Sequence, residues 1–209
     1  MSHGTDGQEN ALRMAALLTM AAPAYLIGLE TAGQCMRDEQ VRDFLGHALL
    51  DEILPMLPGE KTEKENAAIR LCGQLEGSQA PLMLRGVLSG GVSKWADFVL
   101  PLAESWCREK GAAPDCLCFG LSALIMLWTG PLAQDAPDED EDVIGAFRSL
   151  SCDMPPETLS YAVLSDQALW GRDLREIPHL EDKIADQIRD LQLIGLLSAM
   201  EKAWKKEGY

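Results

Sequence analysis

The 209-residue chain is short of the residues that strands favour: 6 Val, 9 Ile and 6 Thr stand against 32 Leu and 24 Ala. β-Branched side chains fit a pleated surface, whereas Leu and Ala favour helices. A nucleotide-binding α/β domain needs several Val/Ile-rich parallel strands. No such run occurs, and neither GxGxxG nor GxxxxGKS/T is present. This argues against a dinucleotide domain inside the chain. Basic charge is also scarce, 18 Lys and Arg against 33 Asp and Glu, giving a net charge of −15. Phosphate recognition runs on clustered cations, so neither a general nucleic-acid surface nor an anionic-membrane surface is expected. With only 3 histidines, no HExxH and no GxSxG, the acid–base inventory is poor for a self-sufficient enzyme.

Targeting and metal signals are missing too. The opening MSHGTDGQEN carries no Lys or Arg, which makes a poor signal-peptide start. The six cysteines, at 35, 72, 107, 116, 118 and 152, lie mostly in apolar stretches and read as buried free thiols of a cytoplasmic protein. Cys116-Leu-Cys118 has no second CxxC and no His pair nearby, so zinc is not expected. The acidic run at 133–142 (AQDAPDEDED) lacks the fixed ligand positions and central Gly of a Ca²⁺ loop. Met14–Leu29 and Cys116–Gln134 are uncharged but short and interrupted by Pro or Gly, so they predict buried core helices rather than membrane spans.

What is present is helical periodicity. Residues 1–10 read as a flexible lead and 11–209 as one all-α domain. A helix over Asn10–Gly33 is apolar nearly all round, hence central, with a kink at Pro23. Over Arg37–Leu57, Val41, Phe44, Leu45, Ala48, Leu49, Ile53 and Leu57 share one stripe. Glu60–Leu75 is a peripheral helix and Leu82–Leu88 a short apolar one, closed by Gly90-Gly91. Ser93 reads as the N-cap of a helix over Lys94–Glu109. A buried helix follows over Asp115–Thr129, then a solvated acidic loop at 133–142 and a short helix over Asp142–Leu150. Pro155-Pro156-Glu157 opens another helix. Pro178 opens the last, with Leu180, Ile184, Ile188, Leu191, Ile194 and Leu197 as its inner stripe.

Few polar residues stand out. His3 falls in the lead, His47 beside the apolar stripe of its helix, and His179 at a helix start where it is solvated or caps. Lys94, in GGVSKW, opposes the dipole at a helix start and is a candidate for holding a substrate or partner. Arg85, alone in an apolar helix, is a second candidate cation, the competing role being a buried pair with an acid. Lys94 and Arg85 are thus the two candidate substrate-binding residues. No residue is singled out for catalysis, for a cofactor or for a metal.

Three segments, in order, resemble one family. PAYLIGLETAGQCM (23–36) with ALLDEILPML (48–57), the stretch 90–130 beginning GGVSKW, and ALWGRDLREIPHLEDKIADQI (168–188) are similar to the long-chain mannitol dehydrogenase family, within it to the hexuronate reductases, tagaturonate reductase (altronate oxidoreductase) and fructuronate reductase. The resemblance implies a multi-helical domain like the C-terminal domain of the 6-phosphogluconate dehydrogenase-like and mannitol dehydrogenase group. Members of the family place a nucleotide-binding domain ahead of it and move a hydride between NAD and a polyol or keto-sugar acid.

The resemblance also implies a K-x4-N-x2-H set just before the AYL-x-GL segment, with the lysine as general acid/base. Counted back from Tyr25-Leu26, those positions hold Glu9, Met14 and Leu17; a one-residue shift gives Asn10, Ala15 and Leu18. A further substrate-binding histidine falls near Leu82, and Lys94 is the polar match that survives. Apolar side chains can neither shuttle a proton nor stabilise an alkoxide. The expectation is a stand-alone homologue of a sugar-acid substrate domain, non-catalytic by itself, with an apolar cleft as its pocket. The alternative is the helical half of a two-piece NAD-dependent altronate or mannonate oxidoreductase. Implied partners are a Rossmann-type subunit or a second copy, because an exposed apolar face rarely stays free, and a sugar-acid ligand.

Overall fold

The computed structural model describes residues 3–77 and 81–205. Helix α1 (His3–Leu26) leads into α2 (Ala32–Arg37), α3 (Glu39–His47), a π-helical segment (Ala48–Ile53) and α4 (Leu54–Met56). α5 (Lys61–Gly77), α6 (Leu84–Leu88), α7 (Gly91–Phe98), α8 (Leu100–Lys110) and α9 (Asp115–Thr129) follow. After a 3-10 turn (Pro131–Asp135) come α10 (Glu141–Phe147), α11 (Pro156–Leu164), α12 (Gln167–Trp170), a 3-10 turn (Leu174–Glu176), α13 (Leu180–Ile194) and α14 (Leu196–Trp204). The fold is all-α. Among the described residues there is no strand, only one isolated bridge between Thr31 and Met83. No helix is long and apolar enough to cross a membrane.

Two apolar helices form the centre. α9 is buried on all sides from Cys116 to Ile125, and α1 lies along it. Their crossing is close because Gly120 has no side chain: a Cβ there would stand 2.8 Å from the Thr19 carbonyl oxygen. Pro23, inside α1, has no N–H to return to that carbonyl. Pro23 therefore sits in the last turn of a continuous helix, and the chain breaks at Gly28 (φ 87). Thr31 and Gln34 then start α2 with a reciprocal capping box. α13 packs on the other flank of α9.

The structure differs from the sequence expectations at several elements. Residues 3–10, expected as a flexible lead, are the first turns of α1; Met1 and Ser2 lie outside the described residues. Glu9 is held there by Arg70 of α5, at 2.5 Å. The 94–109 helix begins instead at Gly91, after Gly90 in the left-handed region, and is interrupted at Val99, because Pro101 lacks the N–H that would carry the ladder on. The last helix bends at Gly195 (φ 78). Leu180, Ile184, Ile188 and Leu191 are buried as expected, but Ile194 (49% exposed), just before that bend, and Leu197 (43%), just after it, fall off the stripe. The acidic 133–142 segment is docked rather than freely solvated: Gly90 N–H donates to the Asp138 carbonyl (2.9 Å) and Val92 N–H to Glu139 Oε2 (3.2 Å). Burial raises the Glu139 carboxyl above its ordinary value.

Candidate functional site

A lysine–asparagine–histidine set on α1 would define a reaction centre. Leu17 is 2% exposed and Leu18 3%, both within the core, and Ala15 is fully buried. Met14 is half-buried and packs on the same core. The first position of either register, Glu9 or Asn10, is exposed. In both registers the second and third positions are apolar side chains turned to packing.

The two candidate cations meet at the junction of α6, α7 and the 131–139 segment. Lys94 Nζ donates to the carbonyls of Gly86 and Val87 (3.3 Å each) and of Ser89. Those carbonyls close α6, and a cation is the favoured charge at a helix C-terminus. All three ammonium hydrogens thus have partners. Arg85, exposed on α6, donates from Nη1 to the Asp135 carbonyl and from Nη2 to that of Ala136, both at 3.2 Å. The Tyr25 hydroxyl donates to the same Asp135 carbonyl at 3.4 Å. Arg85 therefore pairs with backbone oxygens and not with a buried acid. Two of its five N–H groups are so used, and the rest face no partner among the described residues. Leu82, at the family's further histidine position, packs partly buried against the core.

A polar cleft opens between the start of α1, the 57–59 turn and α5. One cavity of about 320 Å³ adjoins another of about 280 Å³, and both are lined by Glu9, Leu12, Ala67 and Arg70. Leu12, Leu54 and Leu57 supply an apolar floor; Lys64 and Asn66 stand on the α5 side. Lys64 Nζ donates to the Leu57 carbonyl at 2.9 Å, which ties the turn to α5. The cleft is thus rimmed with charge and amides over an apolar floor.

The remaining polar centre is internal. Glu52, 5% exposed, accepts N–H bonds from Cys116 (2.8 Å) and Leu117 (2.9 Å) at the first turn of α9. It satisfies two of the four donors that a helix start leaves open. Pro114 precedes α9 and offers no side-chain cap, so the carboxylate comes from the π-helical segment instead. Burial pushes the Glu52 carboxyl up to about 7, against the two backbone bonds that favour its charged form. Nearby, His47 Nδ1 lies 2.8 Å from Asp51 Oδ2, and its ring stacks on Trp204 at 4.9 Å. His179 is exposed at the start of α13, in the left-handed region (φ 66), with no side-chain capping bond. Among the described residues no group of His, Cys, Asp and Glu is placed to hold a metal.

Glu52 and the Glu9–Arg70 pair were not singled out from sequence. Glu52 had a readable signal: it falls four residues after Ala48 and three after Leu49, on the apolar stripe itself. Arg70 had none, since it is one of many alternating charges on a thin amphipathic helix.

The fold is that of the helical part of polyol dehydrogenases. Mannitol 2-dehydrogenase of Pseudomonas fluorescens, solved as a ternary complex with NAD and D-mannitol, superposes with a TM-score of 0.78 at 15% identity, over 93% of this chain and 39% of that one. A D-sorbitol dehydrogenase in substrate-free form gives 0.76 at 17% identity, over 96% of this chain and 41% of that one. In sequence the chain is similar to the C-terminal part of enzymes named altronate oxidoreductase. The enzyme of Bacillus subtilis (strain 168) is 28% identical over 185 residues, covering 88% of this chain. That of Klebsiella pneumoniae (strain 342) is 26% identical over 185 residues, covering 85%. This chain spans 38% of the length of each of these two relatives. No family model matches the chain.

Proposed function

We propose that this chain is a substrate-domain homologue of the hexuronate reductases that has lost proton-transfer chemistry of its own. The observation that carries this reading is the burial of the α1 positions: Leu17 and Leu18 are core residues, so neither register leaves an imidazole or an amide to meet a reacting carbon. Nor do the residues present fit a nicotinamide cofactor. A dinucleotide is held at the end of a parallel strand by a glycine-rich turn, and the described residues contain no strand. The chain alone is expected to show no NAD-dependent oxidation of altronate, the compound named in its relatives. Turnover by the purified chain would overturn this reading.

A second reading rests on Lys94, the polar match that survives in GGVSKW. In it a separate Rossmann-type subunit completes a two-piece oxidoreductase. Arg85 and Lys94 are the ligand-facing cations of that assembly, Arg85 through its free N–H groups and Lys94 by exchanging a carbonyl for a sugar-acid oxygen. Adding the purified subunit should then produce altronate oxidation that Arg85→Gln and Lys94→Gln abolish. Absence of turnover with every nucleotide-binding subunit of the same organism leaves the first reading. A homodimer is the competing partner, separated by the mass of the purified protein in light scattering.

A further inference from the structure

A cavity of about 170 Å³ lies beside Glu52, where the last turns of α8 and α14 meet the π-helical segment and the start of α9. Its wall carries three carboxyl groups, Asp51, Glu52 and Asp115, and two indoles, Trp106 and Trp204. Asp51 is answered by His47 at 2.8 Å and Asp115 by Lys183 at 2.6 Å. Glu52, 5% exposed, has only the two α9 N–H groups and the weak Cys116 thiol donor. Among the described residues no cation stands within ion-pair distance of it, and the charge that bears on it is Asp115, a second carboxylate. Buried charges are normally paired, so an uncompensated carboxylate on a cavity wall marks a place for positive charge. The helices set the same sign. α8 has 11 residues and α14 has 9, and the last turn of each lines the cavity with its negative pole. α9 starts there with its positive pole, but Glu52 already accepts from its first N–H groups. The indoles agree: Lys110 Nζ stands 5.6 Å from the Trp106 ring centroid and Lys205 Nζ 5.3 Å from that of Trp204. Each ring thus already draws a cation towards it. Lys110 is the one lysine on the wall, exposed and on a flexible stem.

We infer that this cavity binds a small primary ammonium ion with a short alkyl body, the ammonium donating to Glu52 and the alkyl group lying against the indoles. A carboxylate has about four lone-pair positions. α9 and the Cys116 thiol use three of those on Glu52, and the fourth takes an ammonium N–H. A quaternary ammonium has no N–H for that bond. Ala113 and Ala203 leave small apolar surface beside the rings for the alkyl group. The volume falls below the range of about 300–1,000 Å³ usual for drug-sized guests, which limits this one to a few heavy atoms. An anion would face three carboxylates and two negative helix ends. The guest binds and leaves unchanged, with no bond made or broken. The inference needs neither the sugar-acid reading nor a second subunit, so its failure leaves both untouched.

An NMR titration of the isotope-labelled full chain with propylammonium tests it, at about pH 8, where Glu52 is ionised. Saturable shifts are expected in the indole N–H signals of Trp106 and Trp204 and in the Cys116 and Leu117 amides, with the indoles of Trp95 and Trp128 unmoved. Propionate and propanol, of the same body with opposite or no charge, should move none of them. Glu52→Gln is expected to weaken binding at least about tenfold, with an unchanged helical circular dichroism spectrum. Trp106→Leu should weaken it at least about threefold. Asp190→Asn, in the groove between α13 and α14, should bind as the unaltered chain does. The inference is overturned if propylammonium leaves the Trp106 and Trp204 signals unmoved, if propionate or propanol moves them as readily, or if Glu52→Gln binds normally. Tetramethylammonium binding as tightly as propylammonium would overturn the assigned class of guest. Should Glu52→Gln lose its helical spectrum, Trp106→Leu decides: normal binding there overturns the inference and weakened binding supports it.

Discussion

Gly120 of α9 lies directly against Thr19 of α1, so near that an added Cβ would stand 2.8 Å from the Thr19 carbonyl oxygen and 2.9 Å from its Cα. Both atoms are backbone, so no side chain can swing away to make room. Gly120→Ala is therefore expected to destabilise the fold by roughly 1–3 kcal/mol, the usual cost of overpacking. Gly46, inside α3 with nothing within 4 Å of an added Cβ, is the internal control. Gly46→Ala should stabilise by roughly 0.5–1 kcal/mol through helix propensity. Urea denaturation midpoints check the opposite signs.

Glu52 makes stability depend on pH in a defined direction. Its carboxyl is raised from 4.5 to about 7 by burial. A raised folded-state value means that the fold favours the protonated form, so this contribution is complete below about 4.5 and declines as pH rises to about 7. The loss is at most about 3 kcal/mol. Glu52→Gln, which keeps an acceptor for one α9 N–H and cannot ionise, should flatten that slope. The difference in melting temperature between variant and unaltered chain is expected to grow in the variant's favour from pH 4.5 to 7 and then level off. A difference that stays constant with pH would contradict the assignment.

Lys94 closes α6 by holding two of its carbonyls, those of Gly86 and Val87, and that of the following Ser89. Lys94→Met keeps the length of the stem and removes the charge. It should cost about 1.5–3 kcal/mol, the scale of hydrogen bonds made by charged groups. Hydrogen exchange is expected to rise locally in α6 and in the neighbouring 131–139 segment, which Arg85 ties to the same helix.

The thiols should be sluggish. Cys35, Cys107, Cys116 and Cys118 are buried, while Cys72 and Cys152 are half-buried. Burial is the first cause of the upward shift in all six, and Cys35 is pushed up to about 12. The thiolate is the reactive form. Alkylation of the folded chain near neutral pH should label Cys72 and Cys152 first and slowly, and all six only after denaturation; mass spectrometry of the labelled peptides reads the order.

The helical class and its centre were legible because α1 and α9 are apolar all round, a pattern that only a buried helix satisfies. Proline marked helix starts reliably at Pro156, where the fixed φ suits a first turn. What escaped the sequence was set by contacts between distant segments. The helix start at Gly91 depends on Glu139, 47 residues away in sequence, accepting the Val92 N–H, which no local cap motif encodes. The placement of residues 3–10 likewise depends on Arg70, 61 residues from Glu9. The resemblance singles out Lys94 in its motif, but its carbonyl partners, Gly86 and Val87 in the preceding helix and Ser89 just after it, follow from the turn at Gly90.

The central claim, that this helical chain retains a substrate-domain fold without its own proton-transfer chemistry, is tested most directly by incubating the purified chain with altronate and NAD and following reduced nicotinamide by its absorbance. No reduced cofactor above the protein-free rate is expected. Sustained reduction of NAD that scales with the amount of chain, with no second polypeptide in the preparation, would contradict it.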